Sequence, residues 1–510
     1  MTLKMLALAS AATLLLAGCT GPRIDAPKPL PTAPSAWSDN AAIRSEPVVL
    51  DWWTQLGDPQ LNQLVETALA HNADLRAAAA NLKAARAMVG EAAAAKLPIG
   101  TVDGGLQRSR TAGASLQLDT FGGPSVLPDQ TLVDATATLS WEIDLFGQIE
   151  ASLLEAKAGE AEALWLHRAT EAAVAAGVVR AWSDLAETSA QLALVRQREE
   201  LLQDVAGRLK KAQALGGVRA NQVDEAHQAV FALATEREGL ATAERNALRR
   251  LATLTGRPAP DGVRLLGSVQ TGALPVPAYV RAGSPETILR QRPDVARAEQ
   301  RLLRATARIG VARADLYPRF SLLGSVGVTA TPGQIGDAGA LRFGVGPMIS
   351  WGIFDMARIR ARIRAAGAEA EAAGAAWETA FLNALEETDS ALDAYSAQQR
   401  AVEATKAARD SAERVAILAE QRASVGQDSR IAALLARAEA LGTATAWQRS
   451  AGALRSAWIN TQVALGAGWR DQGREIAMKR THRMDRELGL QLRNKLPKPV
   501  VVQGMASDHV

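Results

Sequence analysis

One cysteine, Cys19, stands among 510 residues. No disulfide within the chain and no thiolate metal site can therefore form. Histidine is nearly as scarce: His71, His167, His227, His482 and His509 are scattered, with no pair four residues apart. Each reads as a surface or packing residue in preference to a metal ligand. Aromatic residues make up only 4% of the chain, too few for an ordinary large globular core; alanine supplies much of the apolar fraction instead, which favours long, closely packed helices. Charge of one sign is not in excess, with Lys+Arg 57 against Asp+Glu 54 and a formal net charge of +3. That balance argues against a binder of nucleic acid or polyanions. Beyond the N-terminus no run of 18 or more apolar residues occurs, so no transmembrane helix is expected. A membrane could then be crossed only by a closed β-barrel. No nucleophile–base pair, metal-ligand spacing or phosphate-binding glycine loop is found, and no catalytic residue, cofactor or metal is assigned.

The N-terminus carries the most specific local signal. Lys4 gives a positive start, Met5 to Leu16 is apolar, and the segment ends Leu16-Ala17-Gly18-Cys19. The apolar stretch is too short to span a bilayer comfortably and fits an export signal, residues 1–18. A small residue ahead of the sole cysteine is the pattern of bacterial lipoprotein processing, so Cys19 is expected to be acylated. The ordinary signal peptide with an incidental cysteine is the competing reading. Residues 19–50, rich in Pro, Ala and Ser, read as a lipid anchor and extended tether. At the other end, residues 470–510 are basic without an apolar period and read as a mobile tail.

Between these ends the chain is duplicated. Asp74-Leu75-Arg76 and Asp294-Val295-Ala296 each open an amphipathic helix that runs to a proline, Pro98 or Pro318. Trp141-Glu142-Ile143 and Trp351-Gly352-Ile353 close the segments that follow. Gly217-Val218 and Gly426-Gln427 break long helical stretches, and Thr255-Gly256 and Leu465-Gly466 end them. The expected units are a first repeat at 51–256, with a hairpin at 99–146 and a long helix at 148–216, a linker at 257–292, and a second repeat at 293–469, with a hairpin at 318–354 and a long helix at 358–424. A period this long marks a duplicated half-domain, not a solenoid. Proline-free helices of this length reach roughly 100 Å at 1.5 Å per residue.

The hairpins alternate. Phe320, Leu322, Gly324, Val326 and Val328 interleave with Ser321, Leu323, Ser325, Gly327 and Thr329, and Val133, Ala135, Ala137, Leu139 and Trp141 with Asp134, Thr136, Thr138, Ser140 and Glu142. Period two with one apolar and one polar face suits a barrel strand or a half-buried soluble sheet. The weakest strand is Ile99 to Gln107. Four strands per chain are too few for a useful bore, and open edges are not tolerated in lipid, so a barrel would have to be shared between chains.

Several motifs together resemble the TolC-type outer-membrane efflux proteins, in particular the NodT/OprM-like lipoproteins, over nearly all of Cys19 to Trp469. They are Trp52-Trp53, Gly57-Asp58-Pro59-Gln60-Leu61, Asn72-Ala73-Asp74-Leu75-Arg76, Trp141 to Gly147, Gln291-Arg292-Pro293-Asp294-Val295, Tyr317-Pro318, Trp351 to Asp355 and Leu465-Gly466-Ala467-Gly468-Trp469. The resemblance implies a mainly α fold with a transmembrane β-barrel, assembled as a homotrimer with twelve strands, a twelve-helix periplasmic tunnel and an equatorial belt. It implies a passive exit duct for small molecules such as drugs, set in the outer membrane and extending into the periplasm. The expected partners are a periplasmic adaptor (membrane fusion) protein and an inner-membrane transporter of the resistance-nodulation-division type. A protein-secretion duct or a structural coiled-coil lipoprotein are the alternatives. A gate is expected where the long helices turn, at Leu215 to Asn221 and Ser424 to Ile431. The family's bulky residue falls on Ile431. Its usual charged pair falls on Leu435 and Ala438, so the lock is absent from its usual places. Asp428, Arg430 and Arg437 lie nearby, as a substitute lock or as solvated tip charges.

Overall fold

In a computed structural model of the chain, the described residues are 33–37, 43–109, 117–118, 124–125, 129–266 and 274–470. The expected export signal, Cys19, most of the expected tether and residues 471–510 lie outside them, as does most of the first hairpin's loop.

Nine α-helices are found among the described residues: α1 (Pro59–His71), α2 (Ala73–Ala94), α3 (Gln148–Ala214), α4 (Ala220–Leu254), α5 (Ala259–Leu266), α6 (Pro285–Gln291), α7 (Pro293–Ala314), α8 (Met356–Ser424) and α9 (Arg430–Ala464). At 67 and 69 residues, α3 and α8 are each about 100 Å long. Alanine, leucine, glutamate and arginine, with no proline, let them run unbroken. The strands are β1 (Ile43–Arg44), β2 (Ile99–Ser109), β3 (Gln117–Leu118), β4 (Pro124–Ser125), β5 (Gln130–Ile143), β6 (Val280–Arg281), β7 (Arg319–Ala330) and β8 (Leu341–Ser350). Four of them make one antiparallel sheet in the order β2-β5-β7-β8.

The duplication is visible in the element bounds. The interval from Ala73 to Pro293 equals that from Ile99 to Arg319. The slightly shorter interval from Ala214 to Ser424 equals those from Ala220 to Arg430 and Leu254 to Ala464. The difference is absorbed in the first hairpin, which is the longer of the two. Both first helices stop four residues before their prolines. In each, two N–H groups fold back three residues to carbonyls of the last turn, Lys96 and Leu97 in one and Leu316 and Tyr317 in the other. Proline then directs the chain into the strand.

The helices stand side by side. α3 packs against α2 and α4 on one flank and against α7 and α9 on the other, and α8 packs against α7 and α9. α2 and α4 are stacked end to end, as are α7 and α9. The junctions are built from the motifs noted above. Asn72 caps α2, accepting the Leu75 N–H at 3.1 Å, and its amide donates to the Leu254 carbonyl at the end of α4. Arg292 does the corresponding work one repeat on, donating to the Ala464 carbonyl at 2.7 Å and to Asp294 and Glu387. Glycine follows each second helix. Gly256 and Gly466 sit at φ of 74° and 71°, and a Cβ on Gly256 would lie 2.6 Å from the His71 carbonyl oxygen. Only glycine suits both the left-handed backbone and that close approach.

The main core surrounds the middle of the two long helices. Trp52, Leu61, Trp182, Leu251, Ile288, Leu392, Tyr395 and Trp458 are all buried there. Asp58 caps α1 and accepts the Trp182 indole N–H at 2.8 Å, which ties the Gly57-Asp58-Pro59 turn to α3. Gly468 donates its N–H to the Leu50 carbonyl, and Arg168 lies between the Trp165 and Trp469 rings, 4.5 Å from each. Arg470, the first residue of the expected tail, is docked through its N–H on Glu171; the rest of that segment lies outside the described residues.

Candidate channel wall and tip

The sheet has one face without a polar side chain over most of its height. In register across it run Val102 and Leu106 of β2, Ala135 to Trp141 (odd positions) of β5, Leu322 to Val328 (even positions) of β7, and Leu341 to Ile349 (odd positions) of β8. These side chains project away from the chain: Phe343 is 83% exposed and Val345 78%. The opposite face holds Thr101, Asp103, Asp134, Thr136, Thr138, Ser140, Ser321, Ser325, Thr329 and Arg342. There Arg342 reaches across β7 to Asp134 at 2.6 Å, and Thr329 also donates to Asp134. The face that a soluble sheet would bury is thus the one left open. β2 and β8 have no strand partner on their outer edges among the described residues.

Two tryptophans mark the end of the sheet that adjoins the helices. Trp141 donates its indole N–H to the Lys96 carbonyl at 3.0 Å, and Trp351 donates to the Leu316 carbonyl at 3.1 Å. Each fastens the end of a hairpin to the helix-to-strand corner that begins it. Both rings stay part-exposed beside Ile143, Leu145, Ile353 and Phe354, an arrangement typical of the aromatic girdle at a membrane surface.

At the far end of the long helices, two turns repeat one hydrogen-bond pattern. Gly217 donates to Ala212 and Gly216 to Gln213; Gln427 donates to Arg422 and Gly426 to Ala423. Ile431 is the second residue of α9 and half-buried, while Leu435, one turn on, is exposed. Asp428 pairs with Arg422 of its own chain at 3.1 Å. Arg430 is exposed at the first position of α9, and Arg437 pairs with Glu413. Ala438 is buried against Val195, Leu202 and Leu233. The structure therefore gathers Ile431, Asp428 and Arg430 at one tip, and engages Asp428 and Arg437 with partners on α8. Those partners, Arg422 and Glu413, stand on the preceding helix and carried no signal of their own. Among the described residues, no group of three or more His, Cys, Asp or Glu is placed to hold a metal, and no helix is long and apolar enough to cross a membrane.

The family model "Outer membrane efflux protein" matches residues 64–257 and 284–467. Nodulation protein T of Rhizobium leguminosarum bv. trifolii is 29% identical, covering 90% of this chain and 96% of that protein. Outer membrane protein OprJ of Pseudomonas aeruginosa is also 29% identical, over 88% of this chain and 93% of its own length. Among solved structures, that of the outer-membrane channel OprN superposes with a TM-score of 0.78 at 30% identity, covering 88% of this chain and 99% of OprN.

Proposed function

Since the chain belongs to the outer membrane efflux protein family, we propose that it is the outer-membrane channel of a tripartite efflux pump, a passive duct through which small molecules such as drugs leave the cell. The observation that carries this reading is the sheet with its open apolar face, polar reverse face and two unpaired edges. Unpaired N–H and C=O groups are costly in hydrocarbon, so such a sheet is compatible with lipid only when closed. Four strands are too few to close alone around an open bore. Three copies supply twelve strands, with the polar face lining a water-filled lumen and the helices α2, α3, α4, α7, α8 and α9 continuing it into the periplasm.

In this reading the repeats at 51–256 and 293–469 form barrel and tunnel, and 257–292 belongs to the equatorial belt around the Trp52–Trp458 core. Acylated Cys19 anchors the chain in the outer membrane beside the barrel, with 19–50 as the tether. Ile431 narrows the tip as an apolar ring, with Asp428 and Arg430 as neighbouring charges. A pore of this kind holds no energy source, so drive comes from an inner-membrane transporter of the resistance-nodulation-division type, coupled through a periplasmic adaptor. The experiment is a pair of measurements on the detergent-solubilised protein. Native mass should give three copies, and the same sample should form pores in planar bilayers. A monodisperse monomer that leaves the bilayer sealed overturns the reading.

A further inference from the structure

The second long helix opens with an arginine at every other position. Arg358, Arg360, Arg362 and Arg364 follow the short turn at Ile353–Asp355, and all four are exposed. Successive residues of an α-helix turn by about 100°, so steps of two place Arg358 and Arg362 on one side of α8 and Arg360 and Arg364 on the other. The first pair is engaged. Arg358 donates to Asp355 at 2.6 Å and Arg362 to Asp315 at 2.5 Å. Asp315 also accepts from Arg319 at 2.8 Å, and Arg319 stands on the polar face of the sheet, in register with Ser350. Arg362 is thereby fixed on the side of the polar face, and Arg360 and Arg364 are turned to the side of the apolar face. Neither of these two has a carboxylate partner among the described residues. The next carboxylate down their side is Glu371, seven residues past Arg364 and about 10 Å farther from the sheet.

The first repeat shows that this pair of cations is not a general feature of the fold. There the place of Arg360 is taken by Glu150, which is neutralised by Lys96, and the place of Arg364 by Leu154. Glu155 and Glu162, which meet arginines of α7, correspond to Ala365 and Ala372. The unpaired cations therefore belong to one long helix only, and stand off the flank that the repeat uses for packing. Their height is set by the turn above them. Phe354 is fully exposed, with Trp351 and Ile353 half exposed beside it. Arg360 lies about 6 Å and Arg364 about 12 Å along the axis from Met356, the first residue of α8. The polar layer of a bilayer is about 5–8 Å deep on each side, and an arginine stem can carry its guanidinium several ångströms back towards it. With the apolar face of the sheet in hydrocarbon, both guanidinium groups reach the level of the lipid phosphates.

We propose that Arg360 and Arg364 bind the phosphate of an anionic phospholipid in the leaflet nearest the helices, with its acyl chains running up the apolar face past Phe354, Ile349 and Val345. The inference rests on the outer-membrane channel proposed above. A guanidinium offers phosphate two parallel N–H donors, and two unpaired arginines favour a headgroup with net negative charge over a zwitterionic one. The exposed aromatic and aliphatic side chains directly above them suit the chains of the same molecule. A soluble anion would gain nothing from that wall.

Native mass spectrometry of the full chain tests the site and the assembly in one measurement. The detergent-solubilised protein is mixed with phosphatidylglycerol and phosphatidylcholine of matched acyl chains. The three-copy species should retain phosphatidylglycerol in preference. Arg360→Gln and Arg364→Gln should each weaken that preference about fivefold, the range for one basic side chain at an anionic lipid surface. Arg358→Gln with Arg362→Gln removes the same charge from the other side of α8 and should leave the preference intact. Glycerol phosphate, which has the headgroup chemistry without acyl chains, should not displace the lipid. The lipid site is overturned, with the channel reading left standing, by three outcomes in a protein whose mass is still three copies. These are equal retention of the two lipids, equal loss from the control pair, or displacement by glycerol phosphate at matched concentration. A monomeric mass overturns the channel reading and the lipid site with it.

Discussion

Alanine in place of Gly256 should destabilise the protein more than alanine in place of Gly216, although both glycines follow a helix and both have positive φ, 74° and 75°. The shared part is the left-handed backbone, about 1–2 kcal/mol for a residue with a Cβ. It is offset by about 0.4–1 kcal/mol from the stiffer unfolded chain. Gly216→Ala should therefore cost roughly 1 kcal/mol, since nothing lies within 4 Å of its Cβ position. At Gly256 the Cβ would stand 2.6 Å from the His71 carbonyl oxygen and 3.3 Å from its carbon. These are backbone atoms at the α1–α2 corner and cannot swing aside. Overpacking of this kind adds about 1–3 kcal/mol. The second repeat offers the same comparison, because a Cβ on Gly466 would meet the Arg292 Cγ at 2.9 Å while Gly426 is open. The assay is denaturant unfolding in micelles followed by helical circular dichroism, comparing midpoints at unchanged slope. If each junction variant matches its tip variant to within about 0.5 kcal/mol, the limit of additivity for separate sites, the close-approach argument fails.

Ile431→Ala should raise single-channel conductance at equal salt, because a smaller ring obstructs water and ions less; an unchanged conductance, with Asp428→Ala or Arg430→Ala opening the pore, would make the constriction electrostatic. Labelled fatty acid should be incorporated into the wild-type chain and not into Cys19→Ser, and equal labelling of both would refute acylation at that residue. Burial pushes the Tyr395 phenol up to about 12 from an ordinary 10.0, with its hydroxyl donating to the Pro277 carbonyl. Its folded-state value is raised, so its contribution to stability is present below pH 10 and lost as pH climbs towards 12; Tyr395→Phe should remove the most alkaline step from the tyrosinate absorbance titration, and an unaltered titration would disprove the assignment. Trp141→Phe and Trp351→Phe should each cost about 1 kcal/mol, the net value of one hydrogen bond, and the double variant their sum; a null effect in thermal unfolding would show that the corner contacts contribute nothing.

Much of the architecture was legible because its causes are local. Proline position fixed where α2 and α7 give way to strands, period two fixed which residues share a sheet face, and the absence of proline fixed the long helices. Even Ile99 to Gln107, the least regular alternation, forms a strand through its pairing with β5. The boundaries that moved did so for reasons of capping: α8 starts at Met356, because Ile353–Asp355 forms a short 3-10 turn that leads into it. Less legible was why particular motif residues stand where they do. Asn72 and Arg292 look like helix starters, but each also closes the end of a helix roughly 170–180 residues downstream in the chain. Nothing in local pattern announces a bond over that separation. At the tip, Ile431 could be placed on a helix from sequence alone. The pairing of Asp428 with Arg422 depends on how the turn folds back, which spacing does not specify.

The apolar wall has a consequence for delivery. Its residues are never consecutive: in Phe320-Ser321-Leu322-Leu323-Gly324-Ser325-Val326-Gly327-Val328-Thr329-Ala330, serine, threonine and glycine break every run. As an unfolded thread the segment offers an inner membrane nothing resembling the roughly 20 consecutive apolar residues that would arrest it there. In the proposed barrel, an apolar surface for lipid comes into being only when strands pair and sort their side chains to two sides. A chain built this way can pass through one bilayer as a stranger and become a resident of the next.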